Sequence, residues 1–414
     1  QYLPINTRGH MSDPVRKYDL YSHNFKAAPH ATFATIRREE PVLHQIGIDG
    51  ETLLWFATRY DDVERILTDD RRFARDLRAH GYSSGILDPD IDNLVNNHML
   101  EKDGADHRRL RSLVSQAFTP KRVRDMRPRV QTIADELIDR VQPAGRMDLI
   151  ADYAYHLPTI VILEMLGIPA ADRDRFRAWT NAVINPTFDP DGFAEALRLM
   201  GEFLAYLRAL FADRRANPTG DLVTALVHAE EQGDRLNEGE LLGMLMLLIV
   251  AGHETTVNLI GNAMVALWRN PEQLAKLRAE PGLMPAAVEE FLRYDGSVER
   301  AFNRLTLDEV GLSSATVPPG EMIIPILAAA NRDPAVFANP EVLDITRSPN
   351  PHLGFGKGAH YCLGAPLARI ETEIALNTLL ARLPGIRPAT PLDELRYRLL
   401  PTFRSLEALP VAWP

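Results

Sequence analysis

Residues 352–369 read HLGFGKGAHYCLGAPLAR and carry the only cysteine of this 414-residue chain, Cys362. Three glycines precede it, Gly354, Gly356 and Gly358. Glycine reaches backbone angles closed to other residues, so this spacing predicts a tight, unusual loop. Beyond the cysteine, Leu363, Leu367, Ile370 and Ile374 recur at helical spacing. Pro366 suits the first turn of such a helix. Cys362 therefore belongs at a loop-to-helix junction, where backbone N–H groups and the helix dipole favour a thiolate over a thiol. A lone thiolate framed by a tight loop suits an axial ligand to haem iron. On the residue alone, a buried cysteine packing as a small hydrophobe stays open.

The rest of the composition narrows the class. Hydrophobic residues make up 45% and charged residues 25%, ordinary values for a globular chain with a large core. One cysteine excludes an intramolecular disulfide and any metal site with two thiolates. A formal charge of -10 gives no general attraction to nucleic acid or anionic lipid. Gln1–His10 lacks the apolar core of a signal peptide, and its Gly-His pair before Met11 reads as a cloning remnant. One domain is expected over residues 11–414. The longest apolar run, Leu241–Gly252, is about twelve residues, short of the roughly 20 that span a bilayer. A cytoplasmic protein with neither nucleic acid nor membrane as partner is expected.

Helical patterns dominate. Asp125–Val141, Asp152–Leu166 and Gly192–Arg214 are amphipathic at spacings of three and four. The strongest helix runs from about Asn237 to Asn270. Asn237 caps it, Glu240 completes a capping box, and Pro271 ends it. At 1.5 Å per residue it is roughly 50 Å long. It is apolar nearly all round in its first half, so it belongs in the core. Strand signals are few: Thr52–Thr58, Met322–Leu327 after the Pro318-Pro319-Gly320 turn, and a strand-like Ser297–Phe302. The fold class is mainly α with small β-sheets (α+β).

Three further constellations carry chemistry. The long helix holds Ala251-Gly252-His253-Glu254-Thr255-Thr256. His253-Glu254 would open a zinc-protease motif, but the second histidine would have to stand at position 257, which is Val257. An acid beside two threonines in an apolar helix is costly unless it is satisfied or used. Glu290 and Arg293 stand three apart on one helix face. His107-Arg108-Arg109-Leu110-Arg111 is dense in base.

The run Phe355-x-x-Gly358-x-x-x-Cys362-x-Gly364 resembles the haem-binding loop of cytochrome P450 monooxygenases, and the order and spacing of motifs are similar from Met11 to Pro414. The resemblance is greatest to the soluble bacterial members that act on polyketide macrolides and related secondary metabolites. It implies the P450 fold, with the long helix passing over haem b. It implies Cys362 as iron ligand, and Glu254 and Thr255 as the acid–alcohol pair that manages protons on the oxygen side. His107, Arg111, Arg304 and His360 match positions that hold the haem propionates. Ala251, Phe355, Gly356 and Gly364 border the haem. Glu290 and Arg293 resemble the ExxR motif, with Arg347 as third partner, a structural network that places the cysteine loop.

The same resemblance makes residues 78–97 the loop over the distal face. Ile86, Leu87, Leu94 and Val95 would be its apolar walls, and Asp88, Asp90 and Asp92 could attract a cationic amine or face water. Further walls are Leu247, Val250 and Ala251 on the long helix, Val298 and Phe302, and Thr402 and Phe403 in a C-terminal hairpin. Asn185–Gly192 reads as a lid. Arg108, Arg109 and Lys357 form a candidate dock for an acidic ferredoxin or flavodoxin, fed by an NAD(P)H-dependent reductase. The expected reaction inserts one atom of O2 into a C–H or C=C bond of a sizeable apolar substrate such as a macrolide or polyketide, terpenoid, steroid or fatty acid. Two alternatives stay open on the residues: a peroxide-driven peroxygenase on the same fold, and a haem sensor or carrier without turnover.

Overall fold

In a computed structural model the chain is described over residues 16–82, 88–184, 190–231 and 234–414. These residues form two compact units. One comprises Asp76–Met126 and Pro158–Glu254; the other comprises 16–75, Arg127–Leu157 and Thr255–Pro414.

The first unit is helical apart from one short hairpin. Its aromatic centre lies between the helices Arg173–Ile184 and Pro190–Ala216, where Trp179 stacks on Phe203 at 5.1 Å and Phe176 meets Phe203 edge-on at 5.3 Å. Within the expected distal loop, Arg78–His80 is a short helical turn and Pro89–Asn96 a helix. Asp88 caps a helix, Pro89–Asn96, by accepting from the amides of Asp90 and Ile91 at 2.9 and 3.0 Å. Ile86 and Leu87 lie outside the described residues, as do 185–189 of the expected lid. The last three lid residues, Pro190–Gly192, already belong to the helix Pro190–Ala216.

The second unit carries the other sheets. In the largest the strands lie in the order Val42–Ile46, Leu53–Ala57, Met322–Pro325, Arg304–Thr306, Phe73–Ala74. The pairing is antiparallel except between Met322–Pro325 and Leu53–Ala57. Alternate residues serve opposite cores, as the two-residue period of a strand requires. Val42, Ala57 and Ile323 pack with Val63, Phe73 and Leu353. Leu43, Phe56 and Ile324 pack with Phe25, Phe33 and Ile36. Gly320, at φ +83°, closes the turn after Pro318-Pro319 by donating to the Thr306 carbonyl at 2.7 Å. Ser297–Phe302 forms no strand; it makes one bridge, Val298 to Phe403, and the strand begins later, at Arg304. The C-terminal segment makes a second bridge, Tyr397 to Leu406, and pairs Pro410–Ala412 between Arg387–Pro388 and Arg146–Asp148 in a three-stranded sheet.

The long helix is Glu238–Arg269 and runs from the first unit into the second. Its capping box is complete: the Glu240 amide donates to Asn237 and the Asn237 amide to Glu240, both at 2.9 Å. Pro271 opens the next helix, Pro271–Ala279. Among the described residues it is the one helix long and apolar enough to cross a membrane, and most of its apolar stretch is buried within the fold.

Candidate active site

The cysteine loop is built by its glycines and by the helix that follows. Gly356 and Gly358 stand at φ +70° and +74°. The Gly356 amide donates to the Leu353 carbonyl at 2.8 Å, and the Cys362 amide to the Phe355 carbonyl at 3.0 Å. A Cβ on Gly358 would come within 2.6 Å of the Leu67 carbonyl, so the loop packs tightly on the helix Tyr60–Thr68. The next helix is Ala365–Arg382, with Gly364 at its cap and Pro366 in its first turn. Cys362 is half-buried just ahead of that N-terminus. A Cβ on Gly364 would stand 3.9 Å from its sulfur.

Behind the loop, Glu290 and Arg293 meet on the helix Met284–Asp295 and are essentially inaccessible. The guanidinium of Arg293 donates to both carboxylate oxygens at 2.7 and 2.8 Å. It also donates to the carbonyls of Asn331, Pro340 and Val342. Arg347 joins from the meander, its Nε 3.1 Å from Glu290. Asn350 and the Asp344 amide complete the shell. The network reaches the cysteine loop through Asn331, whose side chain accepts from the Leu353 amide at 2.7 Å.

A second clamp has no local signal in the sequence. Glu289, beside Glu290, accepts from Arg369 at 2.6 and 2.8 Å and lies 3.0 Å from Nε2 of His352. Arg369 also lies over the Phe355 ring at 4.6 Å. Burial pushes the Glu289 carboxyl up, but the hydrogen bonds from Arg369 and His352 outweigh it and hold it at about 2. One carboxylate thus ties the two ends of the 352–369 stretch.

Between Leu241 and Ile260 the long helix is buried except at Leu247, Val250, Ala251, Gly252 and Thr255. Leu247, Val250 with Ala251, and Thr255 recur at three to four residues and make one accessible stripe, which Gly252 borders. Glu254 beside the stripe is buried, and so is His253, whose Nδ1 lies 2.8 Å from the Ile249 carbonyl. Burial holds His253 below its ordinary pKa. A Cβ on Gly252 would meet Ile162 at 3.3 Å, so this glycine also serves close packing.

Of the expected propionate ligands, His107 is 2% exposed on the helix Gly104–Ala117, with the half-buried Arg111 one turn later. Arg304 is 4% exposed on its strand, and His360 is half-buried in the cysteine loop. Leu94 is fully buried and Val95 half-buried. Val298, Thr402 and Phe403 come together: the Glu299 amide donates to the Thr402 carbonyl at 2.9 Å, and the buried Lys26 donates to the Phe403 carbonyl and to Glu299. Phe302 is exposed and lies under Arg75 at 5.1 Å.

Two expectations need correction. The three aspartates of residues 88–92 are engaged within the protein: Asp88 caps its helix, Asp90 pairs with Arg208 at 2.9 Å, and Asp92 pairs with Arg78. The basic patch is also weaker than its composition suggests, because Arg109 pairs with Glu240 and Lys357 with Glu64. Only Arg108 of the three keeps an exposed position with no ion pair among the described residues.

These residues fit haem. A single sulfur stands at a helix N-terminus, buried imidazole and guanidinium donors suit carboxylates, and the accessible stripe is small or apolar around Ala251. Residues 196–384 match the family described as "Cytochrome P450". The chain is 44% identical to cytochrome P450 107B1 of Saccharopolyspora erythraea over 98% of this chain and 99% of that one. It is 41% identical to the mycinamicin IV hydroxylase/epoxidase of Micromonospora griseorubida, over 92% and 94%. The solved structure of PksS, the cytochrome P450 of the Bacillus subtilis 168 bacillaene polyketide synthase, superposes with a TM-score of 0.88 at 40% identity, covering 96% of this chain and 99% of that one. The chain therefore belongs to the cytochrome P450 family and is a P450 monooxygenase with haem b as its cofactor.

Proposed function

We propose that this enzyme hydroxylates, or epoxidises, a sizeable apolar molecule of the polyketide or macrolide kind, using electrons from a separate ferredoxin or flavodoxin and its NAD(P)H-dependent reductase. The observation that carries the reading is the cysteine loop, with one sulfur ahead of a helix N-terminus and two carboxylate networks behind it, one buried and one partly accessible. The relatives that act on mycinamicin IV or belong to a polyketide synthase support the substrate class.

Cys362 is the thiolate that holds the iron. By the family resemblance, His107, Arg111, Arg304 and His360 would hold the propionates, and Phe355, Gly356, Gly364 and Ala251 would contact the bound group. Bound haem supplies the activation of dioxygen. The chain's own part is to orient the target bond and to govern protons. Thr255, accessible on the stripe, would donate a hydrogen bond there, and the buried Glu254 next to it would hold and pass protons. Leu247 and Val250 on the stripe, and Val298 with Phe403 across their bridge, present apolar surface to the substrate.

The test is the absorption spectrum of the reduced protein with carbon monoxide. A strongly red-shifted Soret band is expected for thiolate ligation, and Cys362→Ser is expected to abolish it. A red-shifted band that persists in Cys362→Ser refutes the ligand assignment. A spin-state screen of macrolides, steroids and fatty acids then tests the substrate class.

A further inference from the structure

Lys26 lies in the short helix His23–Ala27 and is only 1% exposed, although it carries an ammonium group. Its Nζ donates to Oε1 of the buried Glu299 at 3.1 Å and to the Phe403 carbonyl at 3.2 Å. The same Glu299 oxygen accepts from Nε of Arg300 at 3.2 Å, and the other has no hydrogen bond among the described residues. The main chain of Lys26 is tied down as well. Its carbonyl accepts from Arg404, whose Nε donates to Asp295 at 2.7 Å.

The two segments that Lys26 reaches are themselves paired. Val298 bridges Phe403, the Glu299 amide donates to the Thr402 carbonyl, and the Arg404 amide donates to the Ser297 carbonyl, both at 2.9 Å. Successive side chains of extended backbone point to opposite faces, and bridged partners share a face. Val298 and Phe403 are half-buried, whereas Glu299 and Arg404 are buried. One face of the bridge therefore bears Val298 and Phe403, and the other bears the charged cluster that contains Lys26.

A side chain needed only to pack this helix would be apolar, without the cost of burying a charge. What the ammonium adds is a charge-assisted donor fixed on the Phe403 main chain. We propose that Lys26 is a positioning residue that holds the Phe403 segment from behind and so sets the wall that Val298 and Phe403 present to the substrate. The inference rests on the reading of those two residues as walls. Glu299, Arg300 and Arg404 face the ammonium, with Asp295 and His30 beyond Arg404. Burial lowers the Lys26 pKa to about 8, opposed by the Glu299 carboxylate. The hold on Phe403 is full at neutral pH and weakens as pH rises through about 8, where the donor loses its charge.

The experiment titrates wild-type holoenzyme, Lys26→Met, Glu299→Gln and Phe403→Ala with imidazole and with phenylimidazole, each protein first checked for the thiolate carbon-monoxide spectrum. Both probes ligate haem iron through a nitrogen and are read by the Soret shift, but only phenylimidazole needs the apolar wall. The readout is the ratio of the two dissociation constants, which a general loss of stability does not move. Lys26→Met is expected to weaken phenylimidazole relative to imidazole by roughly fivefold at neutral pH, because a wall no longer fixed must be ordered on binding. Wild type should approach that ratio as pH rises through about 8, while Lys26→Met shows no such change. Glu299→Gln removes the charge that favours the ammonium, so its transition should fall at lower pH. A wild-type ratio that stays flat across this range overturns the proposal, even if Lys26→Met fails to hold haem. The proposal also falls if Lys26→Met keeps the wild-type ratio while Phe403→Ala changes it, and the reading of Phe403 as a wall then stands. If Phe403→Ala keeps the wild-type ratio, that reading falls and takes the proposal with it.

Discussion

Glu289 and Arg369 form a two-pronged ion pair, with guanidinium nitrogens 2.6 and 2.8 Å from the two carboxylate oxygens. The pair joins the helix Met284–Asp295 to the helix that begins just after Cys362. It is partly accessible, 30% on the glutamate side and 35% on the arginine side, so its net contribution is discounted for solvent. Glu289→Gln is expected to cost about 1–2 kcal/mol in denaturant unfolding and to lower the fraction of protein that retains a thiolate-ligated haem. The Glu289 carboxyl is held at about 2, below its ordinary 4.5. Its stabilisation is complete above pH 4.5 and is lost as pH falls towards 2. Acid titrations of wild type and Glu289→Gln should therefore diverge above that window and converge below it.

Arg293 makes five hydrogen bonds from a fixed planar fork. Lysine keeps the charge but cannot reproduce the fork. Arg293→Lys weakens the hold on the buried Glu290 and strands the carbonyls of Asn331 and Pro340, while Val342 keeps its bond from Arg347. A loss of about 3 kcal/mol or more is expected, with failure to retain haem, measured by thermal unfolding and haem content. Stability within the error of wild type would remove the network from any role in holding the loop.

Thr255→Ala removes the hydroxyl from the accessible stripe of the long helix. Binding of substrate, read by spin-state shift, is expected to change little. The share of reducing equivalents recovered as product is expected to fall by roughly tenfold, with peroxide or water taking the rest. Unchanged coupling refutes the assignment, given a substrate that brings no hydroxyl of its own.

Glu371 gives stability the opposite pH dependence from Glu289. Its pKa is raised from 4.5 to about 8 in the folded protein. Below pH 4.5 the folded and unfolded states both hold the proton. Between 4.5 and about 8 the folded state keeps a proton that the unfolded chain has released, so stability falls as pH rises and levels off above that window. The whole loss is on the order of a few kcal/mol. Glu371→Gln should flatten this part of the curve in thermal melts across the neutral range.

The local chemistry of the chain announced much of this protein. Glycines that reach positive φ, a proline in a first turn and a reciprocal Asn237–Glu240 cap act over a few residues, so their consequences can be read from order and spacing. Leu247, Val250, Ala251 and Thr255, which the family resemblance marks out on the long helix, stay accessible among buried neighbours. Polar and glycine-rich composition misled at residues 78–97, where the Asp88 cap and the pairs of Asp90 and Asp92 hold a helix that composition does not reveal. Other features depend on residues far apart in the chain. Nothing near Glu289 or Glu371 in sequence says that the first meets Arg369 and that the second has no cation. Folding alone brought eighty residues of separation together in one case and, in the other, buried a carboxyl. Ionisation state follows from that three-dimensional burial and pairing, which no spacing rule encodes.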